Sequence, residues 1–283
     1  MVLAHVDHIN HTVNIRTTDQ RIEGKALSAN QFDLLSIRNE TFIQDVVFHH
    51  EIESTNSAIL ELARESVKTP LLVVTDKQTA GRGRGANTWW SSEGALTFSL
   101  LLDFPMLAPA QLSSFSLTVG LAVCQTIEHF APVADLAIKW PNDVYFNEKK
   151  IAGILIERPD ANEPRLAVGI GINVNNSLKS APDEVNQNAT SLIDELETEQ
   201  SLTLILFECL KQLERRARDH IHKSEELLDQ WRAYCMLTGR TVKIDAGGRL
   251  IAGECQGIDA SGELLVAGDS GLERIVAGSV VEF

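Results

Sequence analysis

Apolar and polar positions divide the chain into a patterned body and, beyond about Leu237, an end of different texture. Val46-Val47-Phe48 opens a strand predicted to close at Glu53, and Ser54 or Thr55 then caps a helix. The apolar positions of that helix, Ile59, Leu60, Leu62, Ala63 and Val67, keep helical spacing until Pro70 stops it. Residues 71–75 are a dense apolar run of the kind a buried strand shows, and residues 95–102 alternate as a strand. Residues 109–130 predict a long helix with a Leu/Val/Ala face.

Leu136-Ala137-Ile138 starts a further strand, which Pro141 and Asn142-Asp143 interrupt. Val144-Tyr145-Phe146, a turn at Asn147-Glu148 and residues 151–156 predict a β-hairpin. After a turn centred on Asn162 and Pro164, residues 166–174 form a glycine-bearing strand. Residues 191–197, 202–222 and 225–234 predict helices, the first of them short. Residues 241–283 are rich in glycine and β-branched side chains, with turn signals at 246–248, 260–262 and 269–271. Several short strands at that spacing suggest a small β-barrel of SH3-like size. The expected organisation is an N-terminal segment of uncertain structure (1–45), a main domain (46–237) and a small C-terminal domain (238–283).

The chain has 283 residues, enough for one large domain and a smaller one, and a hydrophobic fraction of 44% supports a packed core. A net charge of −14 argues against a nucleic-acid partner, which demands a basic surface. No apolar run approaches the ~20 residues that span a bilayer. Four scattered cysteines without a CxxC are expected as reduced, mostly core thiols in a cytoplasmic protein. The first thirty residues are polar and without a period. His5, His8 and His11 recur at helical spacing but have no acidic or cysteine partner, so a loosely held segment is expected there rather than a metal site. Nothing in it resembles a helix-turn-helix.

The most distinctive polar stretch is KQTAGRGRGANTWW, residues 77–90. Glycine lets a backbone lie against a ligand, at a cost in conformational entropy when the loop orders. Alternating arginines supply forked donors for carboxylate or phosphate oxygens. Three other polar clusters accompany it: Ser54-Thr55-Asn56, residues 139–150 and residues 169–173. Their Ser, Thr, Asn and Gln side chains suit a neutral polar ring. Arg82, Arg84, Lys139, Lys149 and Lys150 suit anions, and Asp143 suits a magnesium ion or the orientation of a cation. Such a set fits a reaction in which a carboxylate must approach a phosphate. Each cluster also has a plain structural reading. Lys149-Lys150 reads as a solvated turn, Trp89, Trp90 and Trp140 as core, Ser54-Thr55 as a helix cap and Asn142-Asp143 as turn chemistry. Four such motifs in one order are harder to explain that way.

Ser54-Thr55-Asn56, then Gln78 with GRGR and Trp89, then KWPND with KKIAGILIE, then GIGINVN, resemble the biotin–protein ligase family across residues 48–174. Residues 241–283 are similar to the family's small C-terminal β-domain. The resemblance implies an α/β (α+β) fold, a mixed β-sheet flanked by helices akin to class II synthetases, followed by an SH3-like barrel. It implies an ATP- and Mg2+-dependent enzyme that forms biotinyl-5′-AMP and passes biotin to a lysine of the biotin carboxyl carrier domain of a carboxylase. It places Ser54, Thr55, Asn56, Gln78, Gly81 and Gly153 at the biotin head, and makes Arg82, Gly83 and Arg84 a flap over the adenylate. Lys150 would bridge the biotin carboxylate and the α-phosphate, supported by Asp143 and Lys139. Trp89, Asn142, Gly171 and Asn173 would border the nucleotide.

Two departures stand out. The loop continues as Gly85-Ala86-Asn87 where many bacterial members have a further Arg-Gly-Arg, and residues 278–283 lack the arginine some members use near the nucleotide. The missing DNA-binding head implies a ligase that is not also a repressor. A monomer or homodimer is expected. Lipoate or octanoyl ligases share the implied fold, but the chain shows neither their glycine-triplet motif after an Arg-Arg pair nor a cysteine placed as nucleophile. A non-catalytic sensor is the other alternative, and the joint presence of Lys150, Arg84 and Asp143 argues against it.

Overall fold

The computed structural model describes residues 32–104, 109–161, 163–222 and 225–283, with two strand fragments at Ile15–Thr17 (β1) and Ser28–Ala29 (β2). The three N-terminal histidines, and the expectation of no DNA-binding head, lie outside the described residues. β3 (Phe32–Asp33) pairs with β2 and leads into α1 (Leu34–Glu40), a helix the apolar pattern did not predict. Only Leu34 and Ile37 of α1 are buried, too few to register as a period. Its start is fixed locally, because Asp33 accepts from the Ser36 N–H at 3.0 Å and the Ser36 hydroxyl at 2.8 Å. These bonds hold the Asp33 carboxyl below its ordinary range.

There follow β4 (Asp45–Ile52), α2 (Thr55–Leu62), β5 (Leu71–Gln78), β6 (Leu96–Asp103), α3 (Pro109–Phe130), β7 (Leu136–Lys139), β8 (Asp143–Phe146), β9 (Lys149–Glu157) and β10 (Arg165–Ile172). Then come α4 (Asp183–Asn188), α5 (Leu192–Leu196), α6 (Leu202–Ile221) and α7 (Glu225–Ala233). Two outcomes differ from the sequence reading. α2 ends at Leu62, where Arg64 and Glu65 donate to Glu61 and Leu62 in tightened i→i+3 bonds, so Val67 packs on the core from outside the helix. α4 escapes the pattern because none of its side chains is buried; only Asp183 and Glu184 in its first turn hint at a helix start.

The chain forms two compact units, Met1–Met106 with Gly153–Lys211, and Leu107–Ala152 with Gln212–Phe283. In the first, β1 and β5 flank β4 in parallel, while β6 runs antiparallel to both β5 and β10, giving a mixed sheet. α2 lies on one face, over Val47, Leu71, Val73, Leu101 and Ala167, with Ile59 and Ala63 as its inward contacts. Each fully buried Ile or Leu in this layer contributes roughly 1.5–3 kcal/mol. On the opposite face Phe48 meets Phe32 at 6.3 Å between ring centres.

In the second unit β7 and β8 pair antiparallel, and β8 turns into β9 through Asn147 (φ 48°) and Glu148 (φ 63°), a two-residue loop with both members left-handed. α3 packs on β7 and α7. The C-terminal strands β11 (Thr241–Asp245), β12 (Leu250–Ile258), β13 (Leu264–Gly268), β14 (Gly271–Ile275) and β15 (Ser279–Glu282) form an antiparallel sheet of order β14-β13-β12-β11-β15. Its turns fall on the three glycine signals read from sequence. Trp140, 1% exposed, donates its indole N–H to Gly262 O at 3.1 Å, which makes it a core residue tying the KWPND segment to this sheet. Cys124, Cys209 and Cys255 are buried, Cys235 is half-buried, and none of the four forms a disulfide. No helix among the described residues is long and apolar enough to cross a membrane.

Candidate active site

The face of the first sheet that carries α2 changes character beyond the N-terminus of that helix. Alternate positions that are apolar under the helix (Leu71, Val73, Leu101, Ala167) give way to Thr75, Thr97, Ser99, Gly169 and Gly171 on the same face. Thr75, Thr97 and Ser99 are at most 1% exposed, so a patch of buried hydroxyls adjoins the start of α2. Ser54 caps that helix by accepting from the Ser57 N–H. Thr55 and Asn56, its first residues, are buried beside the patch.

These side chains orient one another. The Ser99 hydroxyl donates to Thr55 Oγ1 at 2.9 Å, and the Thr55 hydroxyl and backbone N–H both donate to Gln78 Oε1, at 3.1 and 2.7 Å. Gln78 therefore turns its Nε2 donors away from Thr55, toward Gly81. Asn56 Nδ2 donates to Glu157 Oε2 at 2.5 Å. Asn56 Oδ1 and Thr97 Oγ1 are buried without a hydrogen-bond partner among the described residues. Such atoms are costly to leave unpaired, and they suit a polar ligand group.

The glycine–arginine loop closes on itself. Trp89 N–H donates to Gly81 O (2.9 Å), Gly83 N–H to Asn87 O (2.8 Å) and Asn87 N–H to Arg84 O (3.2 Å), and Gly85 turns the tip at φ 65°. Its base is held by Thr79 and Ala80 N–H on Ile52 O and Glu53 O. Arg82 leaves the loop to grip Glu157 with two bonds, 3.0 Å to Oε2 and 2.7 Å to Oε1. Trp89 lies against Gly171, where a Cβ would sit 2.5 Å from Trp89 Cε2, so only glycine admits the ring. Gly169 is as tightly required, since a Cβ there would stand 2.7 Å from Asn56 Oδ1. Gly153 sits half-buried within β9. Asn173 is engaged inside the protein, donating to Thr190 O and accepting from Asn176 Nδ2, both at 3.0 Å.

In the second unit the β7–β8 turn sets Lys139 opposite Asp143, and Asn142 N–H closes it on Lys139 O at 3.2 Å. Lys150, at the start of β9, places Nζ 2.7 Å from Asp143 Oδ1. Lys150 thus pairs with this carboxylate, and Lys139 lies within its electrostatic reach. Burial pulls Lys139 below its ordinary value; Asp143 opposes that fall and Lys150 adds to it. Lys139 also lies over the Phe283 ring, 4.0 Å from its centre. Burial, then Asp143, pushes Tyr145 up to about 12.

Residues 49–175 match the Biotin/lipoate A/B protein ligase family and residues 237–281 match the Biotin protein ligase C terminal domain. The Bifunctional ligase/repressor BirA of Bacillus subtilis is 34% identical over 251 residues, covering 86% of this chain and 76% of that protein. The chain belongs to the biotin–protein ligase family. This ligase is also 32% identical over 238 residues to the Biotin--[acetyl-CoA-carboxylase] ligase of Mycobacterium tuberculosis, over 81% of this chain and 85% of that one. Its fold superposes with a TM-score of 0.73 on the biotin protein ligase from Aquifex aeolicus solved with biotin and ATP, at 31% identity, covering 84% of this chain and 98% of that one.

The sequence reading missed Glu157, although KKIAGILIE contains it. A lone glutamate ending an apolar strand carries no signal of its partners, which lie 75 and 101 residues away. Ser99 and Thr97 were likewise read as plain strand residues, though two hydroxyls on the inward positions of an apolar run were the available clue.

Proposed function

We propose that this ligase joins biotin to ATP and then biotinylates a lysine of a biotin carboxyl carrier domain. The observation that carries the reading is the buried hydroxyl and amide patch at the start of α2, built for a small neutral ring with both donors and acceptors. Ser54, Thr55, Asn56 and Gln78 would hold the ureido ring there, with Gly81 and Gly153 letting backbone pass close. In the first step a biotin carboxylate oxygen attacks the α-phosphorus, and the α–β P–O bond breaks to release pyrophosphate. Negative charge gathers around the α-phosphate in that transition state, and Lys150 would oppose it. Asp143 would orient the Lys150 ammonium, and Lys139 would add a second cation. In the second step the carrier lysine attacks the activated carbonyl carbon, loses a proton and expels AMP.

Arg82, Gly83 and Arg84 would cover the adenylate and keep water from it, while Trp89, Asn142, Gly171 and Asn173 would border the nucleotide. Asn173, with its amide engaged at both ends, would act chiefly by shaping the backbone beside it. No group of three or more His, Cys, Asp or Glu suited to a metal occurs among the described residues. Mg2+ would enter on the ATP phosphates, as this ion commonly does. The free thiols fit a reducing, cytoplasmic setting. The test is transfer of labelled biotin to a carrier domain with ATP and Mg2+, alongside lipoate and octanoate. Transfer of biotin alone supports the reading, and preference for either other acid overturns it.

A further inference from the structure

Glu157 has no part in the reactions just described, yet it holds two of the residues assigned to them. We infer that Glu157 is a positioning residue that fixes which end of the Asn56 amide faces the ligand, and so makes this position select for a ligand N–H. The inference rests on the biotin reading above and goes further by assigning the acceptor for one ureido N–H.

Three contacts carry it. Asn56 is 4% exposed and donates Nδ2 to Glu157 Oε2 at 2.5 Å. The same carboxylate is gripped bidentately by Arg82, at 3.0 and 2.7 Å. A carboxylate in such a pair offers acceptors only, so turning the Asn56 amide over would set oxygen against oxygen. Asn56 Oδ1 is therefore held on the other side, against Gly169, buried and without a partner among the described residues. A buried acceptor left unpaired is unfavourable, and a ligand N–H relieves it while a ligand carbonyl does not. Arg82 completes the device by tying the loop to the end of β9.

Glu157→Gln separates this role from mere support, because glutamine offers both a donor and an acceptor and releases Asn56 to turn either way. The expected result is a KM for biotin raised about tenfold with the KM for ATP within about twofold. Asn56→Ala should raise the biotin KM similarly, and the double variant should be no worse than the worse single one. Additive effects, or an unchanged biotin KM in Glu157→Gln, would overturn the assignment. Melting temperatures accompany each variant. If Glu157→Gln does not fold, Glu157→Asp keeps the charge but draws it back, and the same biotin-selective rise in KM is expected. A lower melting temperature with both KM values unchanged would show support alone and reject the proposal. A wild-type enzyme that does not turn over biotin would instead reject the substrate reading, and this assignment with it.

Discussion

Lys150 Nζ lies 2.7 Å from Asp143 Oδ1, and Asp143 stands opposite Lys139 across the β7–β8 pair. One carboxylate paired with one lysine and within electrostatic reach of a second leaves the cluster with surplus positive charge where a strand begins. Asp143 partly neutralises Lys150 in the free protein; with Lys150 placed at the α-phosphate as proposed, charge developing there would give that ammonium a stronger partner. Lys150→Ala should therefore lower the adenylation rate at least about a hundredfold while affecting the biotin KM far less. Single-turnover pyrophosphate release measures it, and a near-normal rate would remove Lys150 from the chemistry.

The Trp89 ring against Gly171 gives a second prediction. In Gly171→Ala the new methyl would meet Trp89 Cε2, Cζ2 and Nε1 at 2.5–2.7 Å, so the ring must move. Crowding of this kind costs about 1–3 kcal/mol. The expected outcome is a KM for ATP raised about tenfold with a smaller change for biotin. Initial rates against each substrate test this, and equal effects on both would place Trp89 away from the nucleotide.

Arg84 offers a test of the loop. Its backbone carbonyl closes the tip turn by accepting from Asn87 N–H, a bond that Arg84→Gly keeps. The variant should fold and still form the adenylate, but release it to label bystander lysines. Three successive glycines also loosen the chain, by roughly 1 kcal/mol at most. Arg84→Ala is therefore the control, and it should leak in the same way. Retention of the adenylate in both variants would deny the arginine its covering role.

Much of this was legible along the chain because the signals were local. β4 to β10 announced themselves by apolar runs, the hairpin at Asn147-Glu148 by its turn residues, and the C-terminal sheet by three glycine turns. What stayed hidden was relational. Glu157 gains meaning only once Arg82 and Asn56 fold back onto it, and Gln78, though singled out in sequence, shows which way its amide faces only once Thr55 donates twice to its Oε1. α1 was invisible for a different reason, since its start rests on a cap at Asp33 and it buries two side chains. Asn173 reads as a ligand contact in sequence, with no sign there of the bonds its amide makes with Thr190 and Asn176.

His220 gives a prediction about stability rather than catalysis. It sits near the end of α6 between the rings of Phe115 and Trp231, at 5.2 and 6.1 Å, with Nδ1 2.8 Å from Thr118 Oγ1. The Thr118 hydroxyl donates to Ser114 O, so Nδ1 carries the proton and donates to Thr118. Burial lowers the imidazole from 6.5 to about 4, and the fold therefore favours the neutral ring. Between those values the unfolded chain binds the proton and the folded one does not. Stability from this group is present above about pH 6.5 and falls as the pH drops toward 4, by about 3 kcal/mol in all. His220→Gln removes the titration, so the difference in unfolding free energy between wild type and variant should slope by at most ~1.4 kcal/mol per pH unit across that window and level off outside it. Urea unfolding at pH 4.5, 5.5, 6.5 and 7.5 measures the difference, and parallel curves would mean that the imidazole titrates alike in the folded and unfolded chain, against the shift expected from burial.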